Sequence, residues 1–363
     1  MTVGEIAGSL DAWAPPGWAE SYDNVGLLLG DPSIEVHSVL VALDVTEDIV
    51  EEAHQKGCQL IVAHHPLIFK GLKKLTGSHW VERTAMKALQ LGVAVYASHT
   101  NLDNAAWGVN DRLGEILGLE NRKILRPFIG RLEKLVTYVP QDQLEKVKNA
   151  LFAAGAGHIG NYDECSFAIP GTGTFRPGNK SNPYSGKRGE RSEEAEIRLE
   201  VLVRDTHSAT ILHALRQAHP YEEVAYERIP LANMDQERGA GMVGELPEPM
   251  PLNTFLRHLK TQLQLPVIRH TTWQDQPIKK VAYCGGSGIF LLPDALRQHA
   301  DAFLTGDIKY HDFFEADGRL LLADIGHFES EQYTCDLIVK KLLSFATFAV
   351  RLTERSTNPI LYA

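Results

Sequence analysis

The stretch Gln59-Leu60-Ile61-Val62-Ala63-His64-His65-Pro66 carries the reading of the fold. A short apolar run that includes the β-branched Ile61 and Val62 fits a strand buried on both faces, and the proline stops it. Two histidines stand at its carboxyl end, the edge where open α/β sheets bind ligands. The same grammar recurs on either side. His37–Val45 reads as a strand, and Thr46 caps a helix that ends at Gly57. Val93–Ser98 reads as a third strand, with helical patterns after each. Nearer the start, Val3, Ile6, Leu10 and Trp13 make a helical stripe. Alternating βαβ units of this kind predict a mostly parallel sheet with helices on both faces.

From Glu133 the pattern changes. Leu135–Pro140, Glu164–Ile169, Glu196–Arg204 and Glu222–Leu231 read as strands. Helices are expected over Gln141–Gly155 and Ser208–Ala218. The order β-α-β-β-α-β is the ferredoxin-like unit. Residues 170–194, between its central strands, hold three Pro, five Gly and five Lys/Arg, and predict a long, mobile, basic loop. After Met234 the α/β pattern resumes. Helices are expected over Leu252–Leu265, Leu292–Ala300 and Phe328–Phe345, and strands over Lys280–Tyr283, Ala302–Leu304 and Arg319–Ile325. The expected architecture is a two-lobed α/β core in two halves, residues 1–130 and 233–363, interrupted by an inserted domain at 131–232.

Of the 363 residues, 36 are Lys or Arg and 46 Asp or Glu, a formal charge of −10. That balance argues against a nucleic-acid partner, whose footprint is usually basic. Residues 1–55 hold 11 acids and no Lys or Arg, so no signal or transit peptide is expected. No apolar run approaches the ~18 residues of a membrane span. Cys58, Cys165, Cys284 and Cys335 lie far apart without a C-x-x-C, as expected of reduced thiols in a cytoplasmic protein.

Three strand ends carry candidate chemistry. His64 and His65 point different ways from one strand end, so two neighbouring metals could take one each; a hydrogen-bonded surface pair is the alternative. Ser98-His99-Thr100-Asn101-Leu102-Asp103 adds a hard carboxylate and an imidazole. Asp103 also suits a helix cap or a turn, and His99 fits a metal ligand or, better, a role behind the ligands or against substrate. His327 and Glu331, four apart after Gly326, share one helix face, as would a plain surface ion pair. Taken together, His64, His65, Asp103, His327 and Glu331 suit Zn, Mn, Fe or Co, and a shared carboxylate can hold two ions. Cys284-Gly285-Gly286-Ser287-Gly288 is either a tight turn or an anion-binding loop. Arg238-Gly239-Ala240-Gly241-Met242-Val243-Gly244 contains G-x-G-x-x-G but lacks the strand before and helix after, and reads as loop glycines.

Several of these motifs together resemble one family. They are Tyr22-Asp23-Asn24-Val25-Gly26-Leu27-Leu28-Leu29-Gly30, the His64-His65-Pro66 turn, Ser98–Asp103, Thr305-Gly306-Asp307-Ile308-Lys309-Tyr310-His311-Asp312, and Gly326-His327 through Glu331. They look like the NIF-three-like family, domain of unknown function 34, whose members carry the label GTP cyclohydrolase 1 type 2 homolog. Residues 158–169, Gly171–Phe175 and His219–Glu223 resemble its PII-like insert. The resemblance implies a dinuclear centre of two divalent transition metal ions per chain, Zn first and Mn, Fe, Co or Ni as alternatives. Its ligands would be His64, His65, Asp103, His327 and Glu331. The resemblance also implies a toroidal homohexamer and hydrolysis of GTP or a related nucleotide. On that reading His99 and His311 move protons, while Gly285, Gly286, Ser287, Gly288 and Lys309 meet the substrate. Phosphoester hydrolysis, or a non-catalytic role in metal delivery or as a regulatory ring, are the alternatives.

Overall fold

The computed structural model describes residues 1–274 and 276–363. It is a mixed α/β structure with three sheets, and the chain divides into two compact units, Met1–Pro127 with Glu237–Ala363, and Phe128–Gln236.

The first unit holds two sheets. One runs Gly26–Leu29, Ala94–Ala97, Leu60–Ala63, Ser38–Ala42, Ala349–Leu352. Its last four strands are parallel, with Val39 opposite Leu60 and Leu60 opposite Ala94. Every residue of Ser38–Ala42, Leu60–Ala63 and Ala94–Ala97 is buried. Alternation explains this. Val39, Val41, Leu60, Val62 and Tyr96 pack against Val3, Ile6, Leu10 and Ile338 on one side. Leu40, Ala42, Ile61, Ala63 and Val95 pack against Ile49, Val50, Ala85 and Ala88 on the other. The helix Val3–Trp13 is fixed by a capping box between Thr2 and Glu5, and Thr46 Oγ1 caps Glu47–Gln55.

The second sheet runs Arg269–His270, Leu321–Asp324, Ala302–Thr305, Ile278–Tyr283, Met234–Met250, Glu120–Ile129. Its three inner strands at 278–283, 302–305 and 321–324 are parallel and sandwiched in the same way. The first sheet therefore presents the carboxyl ends of four parallel strands and the second those of three.

The unit Phe128–Gln236 is a four-stranded antiparallel sheet. Its order is Ser166–Phe175, Ser192–Arg204, Leu132–Pro140, Tyr226–Leu231. Helices Leu144–Ala153 and Ser208–Ala218 bury Val147, Leu151, Ile211 and Leu215 against Leu135, Leu199 and Val201.

Several boundaries differ from the sequence expectation. The expected loop 170–194 is strand at both ends, with Pro170 opposite Ile197 and Phe175 opposite Ser192. Pro170 is tolerated because Ser166–Phe175 is an edge strand. The helix expected over Phe328–Phe345 is two helices, His327–Glu331 and Thr334–Leu343. The glycines of Arg238–Gly244 lie not in a loop but in the 17-residue strand Met234–Met250. Gly239 is there for closeness: a Cβ on it would stand 2.3 Å from the Arg126 carbonyl and 2.5 Å from Ile124 Cγ2. Strands Gly26–Leu29, Glu120–Ile129 and Ala349–Leu352 had no clear alternation to announce them.

Gly239→Ala must push the strand Glu120–Ile129 away from its neighbour. The expected cost is about 1–3 kcal/mol, read by urea denaturation. A stability equal to wild type would contradict this close approach.

Candidate metal centre

Chemistry-bearing residues follow six of the seven parallel strands. Asp44 lies beyond Ser38–Ala42, His64 and His65 beyond Leu60–Ala63, and His99 and Asp103 beyond Ala94–Ala97. Cys284–Gly288 follows Ile278–Tyr283, Asp307 follows Ala302–Thr305, and His327–Glu331 follows Leu321–Asp324. The His64 amide donates to the Ala42 carbonyl at 3.3 Å and the His65 amide to the Leu43 carbonyl at 2.9 Å. The ladder thus continues through both histidines, and its alternation turns their rings to different sides. Asp103 does not start a helix; it closes the single turn Thr100–Asp103.

Three donor groups result: one joins His64, His65 and His99, and Glu331 belongs to the other two. Its Oε2 lies 3.0 Å from His65 Nε2 and 3.0 Å from His327 Nε2, and those two nitrogens are 3.3 Å apart. Its Oε1 lies 3.8 Å from His64 Nε2, which is 3.5 Å from Asp103 Oδ1. His64 Nε2 and Asp103 Oδ1 are both buried and neither has a hydrogen-bond partner. A buried polar atom left unpaired is costly, and two facing ones are what a cation would satisfy. The donors are imidazole and carboxylate, a set suited to Zn, Mn, Fe or Co. The residues therefore fit a metal, and their arrangement fits two sites sharing one carboxylate. Cys284 lines the same cavity, but burial, with the Asp103 and Glu331 charges, pushes its thiol up and keeps it protonated.

Each histidine is aimed from behind. His64 Nδ1 faces the Ser98 carbonyl at 2.8 Å, His65 Nδ1 faces Asp44 at 2.7 Å, His327 Nδ1 faces Asp307 at 2.7 Å, and His99 Nδ1 faces Asp23 at 2.9 Å. Such acceptors fix the proton on Nδ1 and turn Nε2 toward the centre. In the sequence nothing marks Asp44, and Asp23 and Asp307 stand only within longer motifs. Asp307 caps nothing: it takes a left-handed φ of +57° and accepts from His327. Its legible signal was the one used for Asp103, an acid just beyond a parallel strand.

The charges interlock. Burial opposes an imidazolium at His65, but Asp44 and Glu331 outweigh it and lift the group to about 10. Burial likewise opposes charge on His327, and Asp307 with Glu331 lifts it to about 11. Glu331 is held well below the usual carboxylate range by the facing histidines despite its burial. Asp103 is pushed up by burial, with the Glu331 charge adding to it and His64 opposing it.

The centre opens into a cavity of about 400 Å³ lined by His99, Asp103, Gly285, Ser287, His327 and Glu331, among others. The glycine loop is not an open anion cradle. The amides of Gly285, Gly286 and Gly288 already donate to Asn110 Oδ1, Ser330 Oγ and Thr305 Oγ1. Its glycines make room instead, since a Cβ on Gly286 would stand 2.2 Å from Glu331 Oε1. Lys309 and His311 are exposed and do not line the cavity. Lys309 begins the 3-10 turn Tyr310–Ala316, and His311 packs edge-on to Tyr310. Arg126, held over the Phe290 ring at 4.8 Å, is the cationic side chain that does line it, together with Tyr22. Arg126 is not legible in the sequence, because nothing in Glu120–Ile129 marks that strand as a wall of the site.

A family model described as Duf34/NIF3 (NGG1p interacting factor 3) matches residues 1–359. The chain is 37% identical over 365 residues to a Bacillus subtilis protein named GTP cyclohydrolase 1 type 2 homolog, covering 99% of this chain and 98% of that one. A protein of the same name from Halalkalibacterium halodurans is 40% identical over 320 residues, covering 87% and 86%. Among solved structures, a Bacillus cereus protein related to NIF3 is 35% identical and superposes with a TM-score of 0.86, covering 100% of this chain and 99% of that one.

Gly286→Ala should displace Glu331 and weaken metal binding by tenfold or more, on the order of 1.4 kcal/mol, in a chain that stays folded by circular dichroism. Unchanged affinity would contradict the account of this glycine. A second expectation concerns protons. His65 and His327 have folded values of about 10 and about 11, above ~6.5 for an unfolded histidine. Their contribution to the metal-free fold is fully present below ~6.5 and is lost as pH rises through 10 to 11. A metal competes with those protons, so loading at neutral pH releases them and affinity climbs with pH. Calorimetry in buffers of different ionisation enthalpy reads the release; no proton release would contradict the assigned charges.

Proposed function

The chain belongs to the Duf34/NIF3 family, and on that premise we propose that it is a metal-dependent hydrolase of GTP or a related purine nucleotide, working with two divalent transition metal ions per chain. The observation that carries the reading is the single Glu331 carboxylate facing two donor groups, one of them with two orphaned buried atoms. Its relatives' name supports the substrate class. His64, Asp103 and Glu331 would hold one ion, and His65, His327 and Glu331 the other. Such ions supply Lewis acidity and an acidified water.

The chain's own residues do the rest. Hydrolytic opening of a purine imidazole ring needs a proton taken from water and one given to the departing nitrogen. His99 is built for that transfer. Asp23 takes its Nδ1–H, is itself held at about 2 by His99 and Thr100 despite burial, and leaves Nε2 to the cavity. Arg126 meets a phosphate oxygen, taking the substrate contact first expected of Lys309. Tyr22, whose phenol is raised by burial and by Glu20 and Asp23, stays protonated and can donate to the base. The buried walls at Leu60–Ala63 and Ala94–Ala97 keep the donors rigid.

The same reading takes the unit Phe128–Gln236 as a PII-like insert and the rest as a two-lobed core. It takes the protein to be cytoplasmic and assembled as a homohexameric ring, with the exposed Tyr310 and Phe314 supporting a self-association surface. Among the described residues no helix is long and apolar enough to cross a membrane.

Reconstituted protein should turn over GTP or a related purine nucleotide. His99→Ala should lower kcat by about 10²–10⁴-fold with metal content unchanged, and Arg126→Ala should raise KM for the triphosphate while leaving that for the nucleoside. Phosphate release without ring opening would replace this reading with a phosphoesterase. Full metal loading with no turnover of any nucleotide would leave metal delivery or a scaffold.

A further inference from the structure

The unit Phe128–Gln236 contains a cavity of about 370 Å³ that shares no residue with the metal centre. We propose that it binds a small organic cation of the alkylammonium class, on the faces of Tyr138, Phe175, Tyr184 and Tyr221 and against the carboxylate of Glu196.

The rings come from separate parts of the unit. Tyr138 lies in the strand Leu132–Pro140, Phe175 ends the edge strand, Tyr184 sits in the loop that follows it, and Tyr221 follows the helix Ser208–Ala218. The Tyr221 ring centre is 5.8 Å from that of Tyr184 and 6.5 Å from that of Phe175, both tilted at 49°. Tilted rings at this spacing present faces rather than stacking flat on each other. All three phenols donate to carboxylates: Tyr221 to Glu196 at 2.8 Å, Tyr184 to Asp142 at 3.2 Å and Tyr138 to Glu227 at 3.0 Å. These bonds fix the rings and leave them electron-rich, which strengthens the attraction of a ring face for a cation.

The charge balance has the same sign. Glu196, Glu222 and Glu223 line the cavity against the single guanidinium of Arg176. Glu222 is committed to the Asn182 amide, at 2.8 and 2.9 Å. Glu196 is half-buried, and among the described residues no Lys, Arg or His pairs with it; only the Tyr221 hydroxyl does. Room for that carboxylate is provided by Gly173, where a Cβ would stand 2.0 Å from Glu196 Oε2. Ser185 Oγ is buried in the same wall without a partner and suits a hydroxyl or amide on the ligand. A half-buried anion with no counter-ion, ringed by aromatic faces, selects a cation that is weakly hydrated.

The test is titration of choline into the full chain by ligand-observed NMR, with neohexyl alcohol, its neutral carbon isostere, in parallel. Saturable choline binding with little binding of the alcohol is expected. Glu196→Gln and Tyr184→Ala should each weaken choline by roughly tenfold. Tyr184 is exposed on its loop, so that variant tests the cage without threatening the fold. The proposal is overturned if wild type shows no saturable choline binding, if the alcohol binds as well, or if both variants bind like wild type.

Discussion

Glu331 is a carboxylate buried among the rings of His64, His65 and His327, and the centre takes its form from the need to satisfy it. A lone buried anion at that depth would be expensive. Three imidazoles from two sheets converge on its two oxygens, and Asp44 and Asp307 hold two of those rings in turn. Those aspartates sit directly beyond parallel strands, so the geometry of the centre follows from where the two sheets end. The His64–Asp103 side keeps two facing orphaned atoms. That asymmetry separates the two donor groups that share Glu331: one closes on itself through hydrogen bonds, while the other leaves two facing polar atoms unpaired.

The glycines around the centre are a consequence of the same crowding. Gly285 and Gly286 pass against Glu331, and a Cβ on Gly306 would stand 2.8 Å from the His327 amide. Gly326 takes a φ of +78° to start the helix that carries His327 and Glu331. Ser330, next to Glu331, accepts from the Gly286 amide and donates to the His327 carbonyl, which clamps the loop onto the helix. A larger residue in these turns would separate the strand ends from the carboxylate they surround.

The buried parallel strands were legible in the sequence because each is a short apolar run closed by a polar residue. The five candidate ligands were legible for the same reason: His64, His65, Asp103, His327 and Glu331 all stand just beyond such a strand or one turn into the following helix. What the sequence hid has physical causes. Gly239, Gly241 and Gly244 suggest a loop by their spacing, yet they belong to the strand Met234–Met250, where Gly239 serves close backbone approach rather than a turn. Orienting acids such as Asp44 look like any surface aspartate until the histidine behind which they sit is placed. The role of Arg126 depends on a neighbouring strand remote in sequence, and Lys309 drew attention only because its motif was recognisable.

On the proposed function, one carboxylate, Glu331, serves two metal sites. The most direct measurement is anomalous diffraction from crystals of the zinc-reconstituted protein, collected at the zinc edge. Two peaks per chain are expected, ~3.5–4 Å apart, one beside His64 and Asp103, the other beside His65 and His327, with Glu331 touching both. A single peak, or two peaks of which one lies outside these residues, would contradict it.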